Sequence, residues 1–172
     1  ALQRLAAQGL VTLVSHRGAF VKRFSPKEIL DLYELRIALE ETAAGLAAER
    51  ITKAEGHELL QLVESTADEM SASTSAPYPR GNDLHSRIAD LSRNDVLAVH
   101  LREVHMHLAL ARVLSGNKPD RAREALGEHQ GIVQAIASGD RPMARQLMGD
   151  HMRHAMENAL RVNVSEETTS EN

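Results

Sequence analysis

Nine histidines are spread over this 172-residue chain, and two of them stand out by position. His129 lies inside an apolar stripe of Ala122, Ala125, Leu126, Ile132, Val133 and Ile136. His151 lies inside a second stripe of Ala144, Leu147, Met148, Ala155 and Ala159. Ser138-Gly139-Asp140 separates the two stripes, and each histidine is eleven residues from Asp140. In an antiparallel helical hairpin, residues equally far from the turn stand at the same height, here about 16 Å along each helix. Both stripes must face inward, so the two imidazoles are expected to meet in the core. Two buried neutral rings without partners each cost free energy, which favours a shared ligand, either a metal or a small anion. His85, beside Leu84, Ile88 and Leu91, is a third candidate. Three imidazoles from three helices form a facial set suited to a divalent transition metal.

Arg36 and Glu40 stand one turn apart on the inward stripe of their own helix. They are either a buried ion pair that fixes register, or a site where the planar guanidinium of Arg36 takes the carboxylate of a ligand. The other histidines read as ordinary. His16 falls in a turn and His57 on a solvated face, while His100, His105 and His107 crowd one helix without a matching carboxylate. Glu128 adjoins His129 but points about 100° away around the helix, so no general base is obvious. The chain contains no H-E-x-x-H and no pair of E-x-x-H motifs, which argues against the common metalloprotease and di-iron bundles.

The elements that must position these residues are mostly helical. ALQRLAAQGL reads as the tail of a helix already under way, with Gly9 as its stop. Leu10 to Val14 and Ala19 to Arg23 read as two strands around the turn His16-Arg17-Gly18. Ser25-Pro26-Lys27-Glu28 and Thr52-Lys53-Ala54-Glu55 are capping boxes that open two helices, the second running to about Met70. Ser71 to Asn82 is a loop by composition. A short helix around Leu84 to Leu91 breaks near Ser92-Arg93-Asn94, and another runs from about Asp95 to Leu114 and stops at Gly116. The two helices of the hairpin follow, with Pro142 just inside the second, and SEETTSEN forms a polar tail. The expected fold is all-α, an antiparallel bundle of about six helices preceded by half of a winged helix-turn-helix.

Composition removes several classes. Without cysteine there is no disulfide scaffold, thiolate zinc site or cysteine nucleophile. Only Phe20, Phe24, Tyr33 and Tyr78 are aromatic and there is no tryptophan, which leaves no stacking platform for single-stranded nucleic acid. No apolar run approaches the ~20 residues of a membrane span, and no signal peptide opens the chain, so a soluble, cytoplasmic protein is expected. The net charge of −4 divides unevenly: Arg4, Arg17, Lys22 and Arg23 give residues 1–24 a charge of +4, leaving −8 for the remainder. A basic head on an acidic body suggests an anionic partner at one end.

These segments are recognisable. ALQRLAAQGLV…HRGAFV resembles the end of the recognition helix and the wing of GntR-family transcription regulators. SPKEILDLYELRIALEETAAGLAAE, LHSRIADLSRN and EHQGIVQAIASGDRPMARQLMGDHM resemble, in order, the all-helical FCD effector domain of the FadR-like branch. The resemblance implies a homodimer that binds operator DNA and takes a small carboxylic acid in a pocket that often holds a metal, with zinc or nickel as the expected ions. It implies His85, His129 and His151 as metal ligands, Arg36 as the partner of the effector carboxylate, and Arg4, Arg17 and Gly18 as DNA contacts in the head. The fourth ligand of the family is usually an Asp four residues before the first histidine, and Gly81 stands there in this chain. Asn82 shares a helix face with His85 and could replace it, whereas Asp83 reads as an N-cap. The implied organisation is a winged-helix remnant over 1–24, an effector- and metal-binding domain over 25–163 and a polar tail over 164–172. The first two helices of a winged helix and the start of its recognition helix are not in the sequence, so a fragment is expected. Two rival functions remain at this level: a metal-dependent hydrolase or lyase using the three histidines, and a structural bundle in which they are packing residues.

Overall fold

The computed structural model describes residues 1–71, 84–115 and 120–167. Gly81, Asn82, Asp83, Gly116 and nearly all of the expected 71–82 loop lie outside the described residues. In chain order the elements are α1 (Leu2–Ala7), β1 (Val11–Val14), β2 (Gly18–Val21), α2 (Pro26–Arg50), α3 (Lys53–Ser71), α4 (Leu84–Leu91), α5 (Asp95–Ser115), α6 (Asp120–Ala137) and α7 (Arg141–Glu167).

Gly9 stops α1 as its position suggests. At φ 69° it turns the chain so that its N–H reaches the Ala6 carbonyl and the Leu10 N–H reaches that of Leu5, both at 3.0 Å. Those are the two bonds of a Schellman motif. β1 and β2 pair antiparallel, with Val11 opposite Val21 and Val14 opposite Gly18. The turn between them needs positive φ at His16 and Gly18. This head buries little: α1 has no buried residue, and Leu2, Leu13, Phe20 and Val21 are exposed.

Both capping boxes form. Ser25 and Glu28 bond reciprocally at 2.9 and 3.2 Å, and Thr52 and Glu55 do so at 2.9 and 3.3 Å. Lys22 lies 2.8 Å from Glu28. Together with the Ser25 cap it holds the Glu28 carboxyl at about 2 and ties the head to the start of α2. Between α4 and α5, Arg93 takes φ 51°, uncommon for a side chain of that size. The Arg50 guanidinium on the Ser92 carbonyl (2.6 Å) and an Arg93–Glu55 ion pair (3.0 Å) hold the turn in place.

Helix α2 is the centre of the body and packs on α7, α5, α4 and α6, while α3 covers α6. Its buried Ala43, Ala44 and Ala47 let the neighbours approach closely. Around them pack Leu59 and Val63 of α3, Ile88 of α4, Leu101 of α5, Ile132, Val133 and Ile136 of α6, and Met148 and Met152 of α7. The result is the all-α bundle that the periodicity implies. Helix α7 runs to Glu167.

The α6–α7 turn sets the height at which the two helices face each other. Gly139 sits at φ 77°, the Asp140 N–H bonds the Ala135 carbonyl at 2.9 Å, and the Asp140 carboxylate caps α7 through the Met143 N–H at 3.0 Å. A Cβ added at Gly139 meets only the Ala48 carbonyl at an ordinary 3.6 Å, so Gly139→Ala carries the left-handed backbone penalty alone. Urea unfolding should register a loss of about 1–2 kcal/mol. Ile132, fully enclosed, should cost about 2–5 kcal/mol on truncation to Ala in the same assay.

Candidate metal centre

Three helices deliver the three histidines to one point: α4 carries His85, α6 His129 and α7 His151. Their nearest ring nitrogens all lie within 4.8 Å of one another. His151 is the middle ring. Its Nε2 is 3.1 Å from Nε2 of His129 and 3.3 Å from Nε2 of His85. The His85 and His151 rings stack at 17°, and His129 stands edge-on to both. His129 and His151 are each 4% exposed, so the nitrogens meet away from bulk water.

The outer nitrogens of two rings face carboxylates. Nδ1 of His151 is 2.5 Å from Glu128 Oε2, and Nδ1 of His85 is 3.0 Å from Glu40 Oε2. The second pair is within ion-pair reach but out of line for a hydrogen bond, which leaves both atoms buried without one. A carboxylate at these distances favours N–H on the nitrogen it faces, since a lone pair there would meet negative charge. A ring protonated there would turn its Nε2 lone pair inward. Two such lone pairs 3.3 Å apart would repel each other, and a cation among them would relieve that repulsion. The donor set therefore fits a divalent transition metal.

Glu40 is fully buried. Its Oε1 accepts from Arg36 Nε at 3.0 Å and from His105 Nε2 at 2.8 Å. Burial pushes the carboxyl up, but His85, Arg36 and the His105 hydrogen bond outweigh it and hold Glu40 well below the usual carboxylate range. Burial likewise lowers His105, only partly offset by its bond to Glu40. Arg36 is thus an internal ion partner through Nε. Its Nη groups make no hydrogen bond among the described residues.

The expectation that the α5 histidines lack a matching carboxylate changes: His100 lies 3.3 Å from Glu103, three residues on. His105 does have a matching carboxylate, Glu40, which comes from another helix sixty-five residues away and leaves no local signal. His107 also has a partner, the Gln8 carbonyl at 2.7 Å. Glu128, set aside because it points away from His129, turns toward α7 instead. There it holds both His151 and the exposed His154, at 2.5 and 2.7 Å. Extending the count from Asp140 by one residue puts Glu128 level with position 152, between those two rings. His57 is exposed and pairs with Gln61. Arg4, Arg17 and Gly18 are exposed on the head, well apart in sequence from the histidine centre.

The FCD domain family matches residues 31–154. The "Nta operon transcriptional regulator" of Aminobacter aminovorans is 30% identical over 112 residues, which is 65% of this chain and 53% of that protein's length. The "HTH-type transcriptional regulator LutR" of Bacillus subtilis is 27% identical, over 88% of this chain and 78% of LutR. E. coli McbR/YncC shares the fold at a TM-score of 0.77, covering 93% of this chain and 81% of that one at 17% identity. Both the Aminobacter and the Bacillus relatives are named as transcriptional regulators, and no described helix is long and apolar enough to cross a membrane. With the family model covering residues 31–154, most of its length, this chain belongs to the FCD domain family.

Proposed function

We propose that the helical body, residues 25–163, senses a small carboxylic acid with the help of a divalent transition metal, and that a DNA-binding head transmits the result to an operator. The observation that supports this most directly is the convergence of three imidazole Nε2 atoms backed by two carboxylates. His85, His129 and His151 hold the metal, with zinc or nickel suited to imidazole donors. When bound, the ion supplies positive charge in a dry site, where charge acts strongly on an anion. Arg36 receives the effector carboxylate on its Nη groups while Nε stays on Glu40. Arg4, Arg17 and Gly18 of the head, residues 1–24, contact the DNA backbone or minor groove. The regulator acts as a cytoplasmic homodimer, with 164–172 as its polar tail. Regulation follows from linkage: the effector binds one arrangement of the dimer better than another, and that difference shifts the DNA-reading heads.

A hydrolase or lyase would need a base free to take a proton. Glu40 is enclosed among Arg36, His85 and His105, and Glu128 is shared between His151 and His154. Neither is placed for that work.

Mass spectrometry of protein purified without chelator should find about one transition metal per chain. The His129→Ala, His151→Ala double variant should hold none. Equal metal in both would sink the site. For the effector, Arg36→Lys keeps the charge beside Glu40 but loses the fork. Calorimetric titration with small mono- and dicarboxylates should show at least tenfold weaker binding, with circular dichroism unchanged. Undiminished binding would remove Arg36 from the effector site.

A further inference from the structure

Glu128 backs the central ring of the histidine centre, and its geometry is specific. It leaves α6 one position before His129 and spans to α7, where one oxygen takes His151 Nδ1 and the other takes His154 Nδ1. His151 is the central ring, within 3.3 Å of both partner nitrogens, so its tautomer decides what the other two imidazoles meet. With the proton on Nε2, His151 would hydrogen-bond His129 or His85 and close the centre as ordinary packing. With the proton on Nδ1, it offers a lone pair.

We propose that Glu128 is a positioning residue: its carboxylate, steadied from the rim by His154, holds the proton of His151 on Nδ1 and keeps Nε2 open as a metal donor. The inference rests on the metal reading above and deepens it. The restraint is graded in burial. His151 is enclosed, the Glu128 side chain is 23% exposed and that of His154 56% exposed, so the anchor reaches from solvent to the inner ring. Outer-sphere carboxylates of this kind orient a ligating imidazole and raise its basicity. Their removal weakens metal binding by about 10–100-fold.

The test uses two readouts on the full chain. Long-range nitrogen–proton NMR of metal-free protein, assigned with His151→Ala, should place the His151 proton on Nδ1 in the wild type. In Glu128→Ala the proton should move to Nε2 or divide between the two nitrogens. Cobalt(II) titration, followed by visible absorbance, should give about 10–100-fold weaker binding in Glu128→Ala. Glu128→Gln, which keeps an acceptor but loses the charge, should fall between, and serves if the Ala variant folds poorly. His154→Ala should weaken cobalt binding less than either. If the wild type carries its His151 proton on Nε2, or if Glu128→Ala binds cobalt as the wild type does, the positioning role is overturned and the metal reading stands. If the wild type binds no cobalt, the metal reading falls first and takes this role with it.

Discussion

A carboxylate without any contact with water, Glu40, ties together the part of the molecule on which the rest depends. An isolated charge in that position would be costly by many kcal/mol. Glu40 stays ionised because Arg36 on its own helix, His105 on α5 and His85 on α4 all turn toward it. Removing any of them exposes the others to the same desolvation, which is why such networks specify arrangement more than they add stability. Helices α4 and α5 are thereby fixed to α2, and His85 is fixed with them. The histidine centre is the other end of this network: His85 belongs to both.

The hairpin of α6 and α7 supplies the opposite wall. Its turn chemistry is local, a glycine at positive φ and an aspartate cap, but its effect is long-range. It sets the two helices in a register that brings His129 and His151 into contact eleven residues away from the turn on each side. A one-residue slip would carry either ring about 100° round its helix, out of the core. The centre thus depends on a rigid turn on one side and a charge network on the other.

Much of this was legible in the residue order wherever the determinant is local. Capping boxes at Ser25 and Thr52, the stop at Gly9 and the equal spacing about Asp140 all describe interactions within a few residues or within one hairpin. Apart from the local His100–Glu103 pair on α5, what stayed hidden was pairing between elements distant along the chain. The Glu40–His105 bond joins α2 to α5, and no periodicity within either helix reveals it. Glu128 was hidden for a different reason. Its angular offset from His129 is a property of one helix, whereas a side chain of that length bridges to the neighbouring helix. Arg36 and Glu40 carry two readings because the ion pair engages only the Nε side of the guanidinium; the pattern does not force a choice between them.

Helix α5 carries one more consequence. His105 and His107 are two residues apart, about 200° around the helix axis, so they face opposite ways. His105 touches Glu40 in the core, and His107 touches the Gln8 carbonyl at the end of α1 and packs edge-on against Phe24. The helix is pinned on both sides. A roll that eases His105 away from Glu40 must drag His107 across the Gln8 carbonyl, so the buried core and the exposed head share a single mechanical degree of freedom.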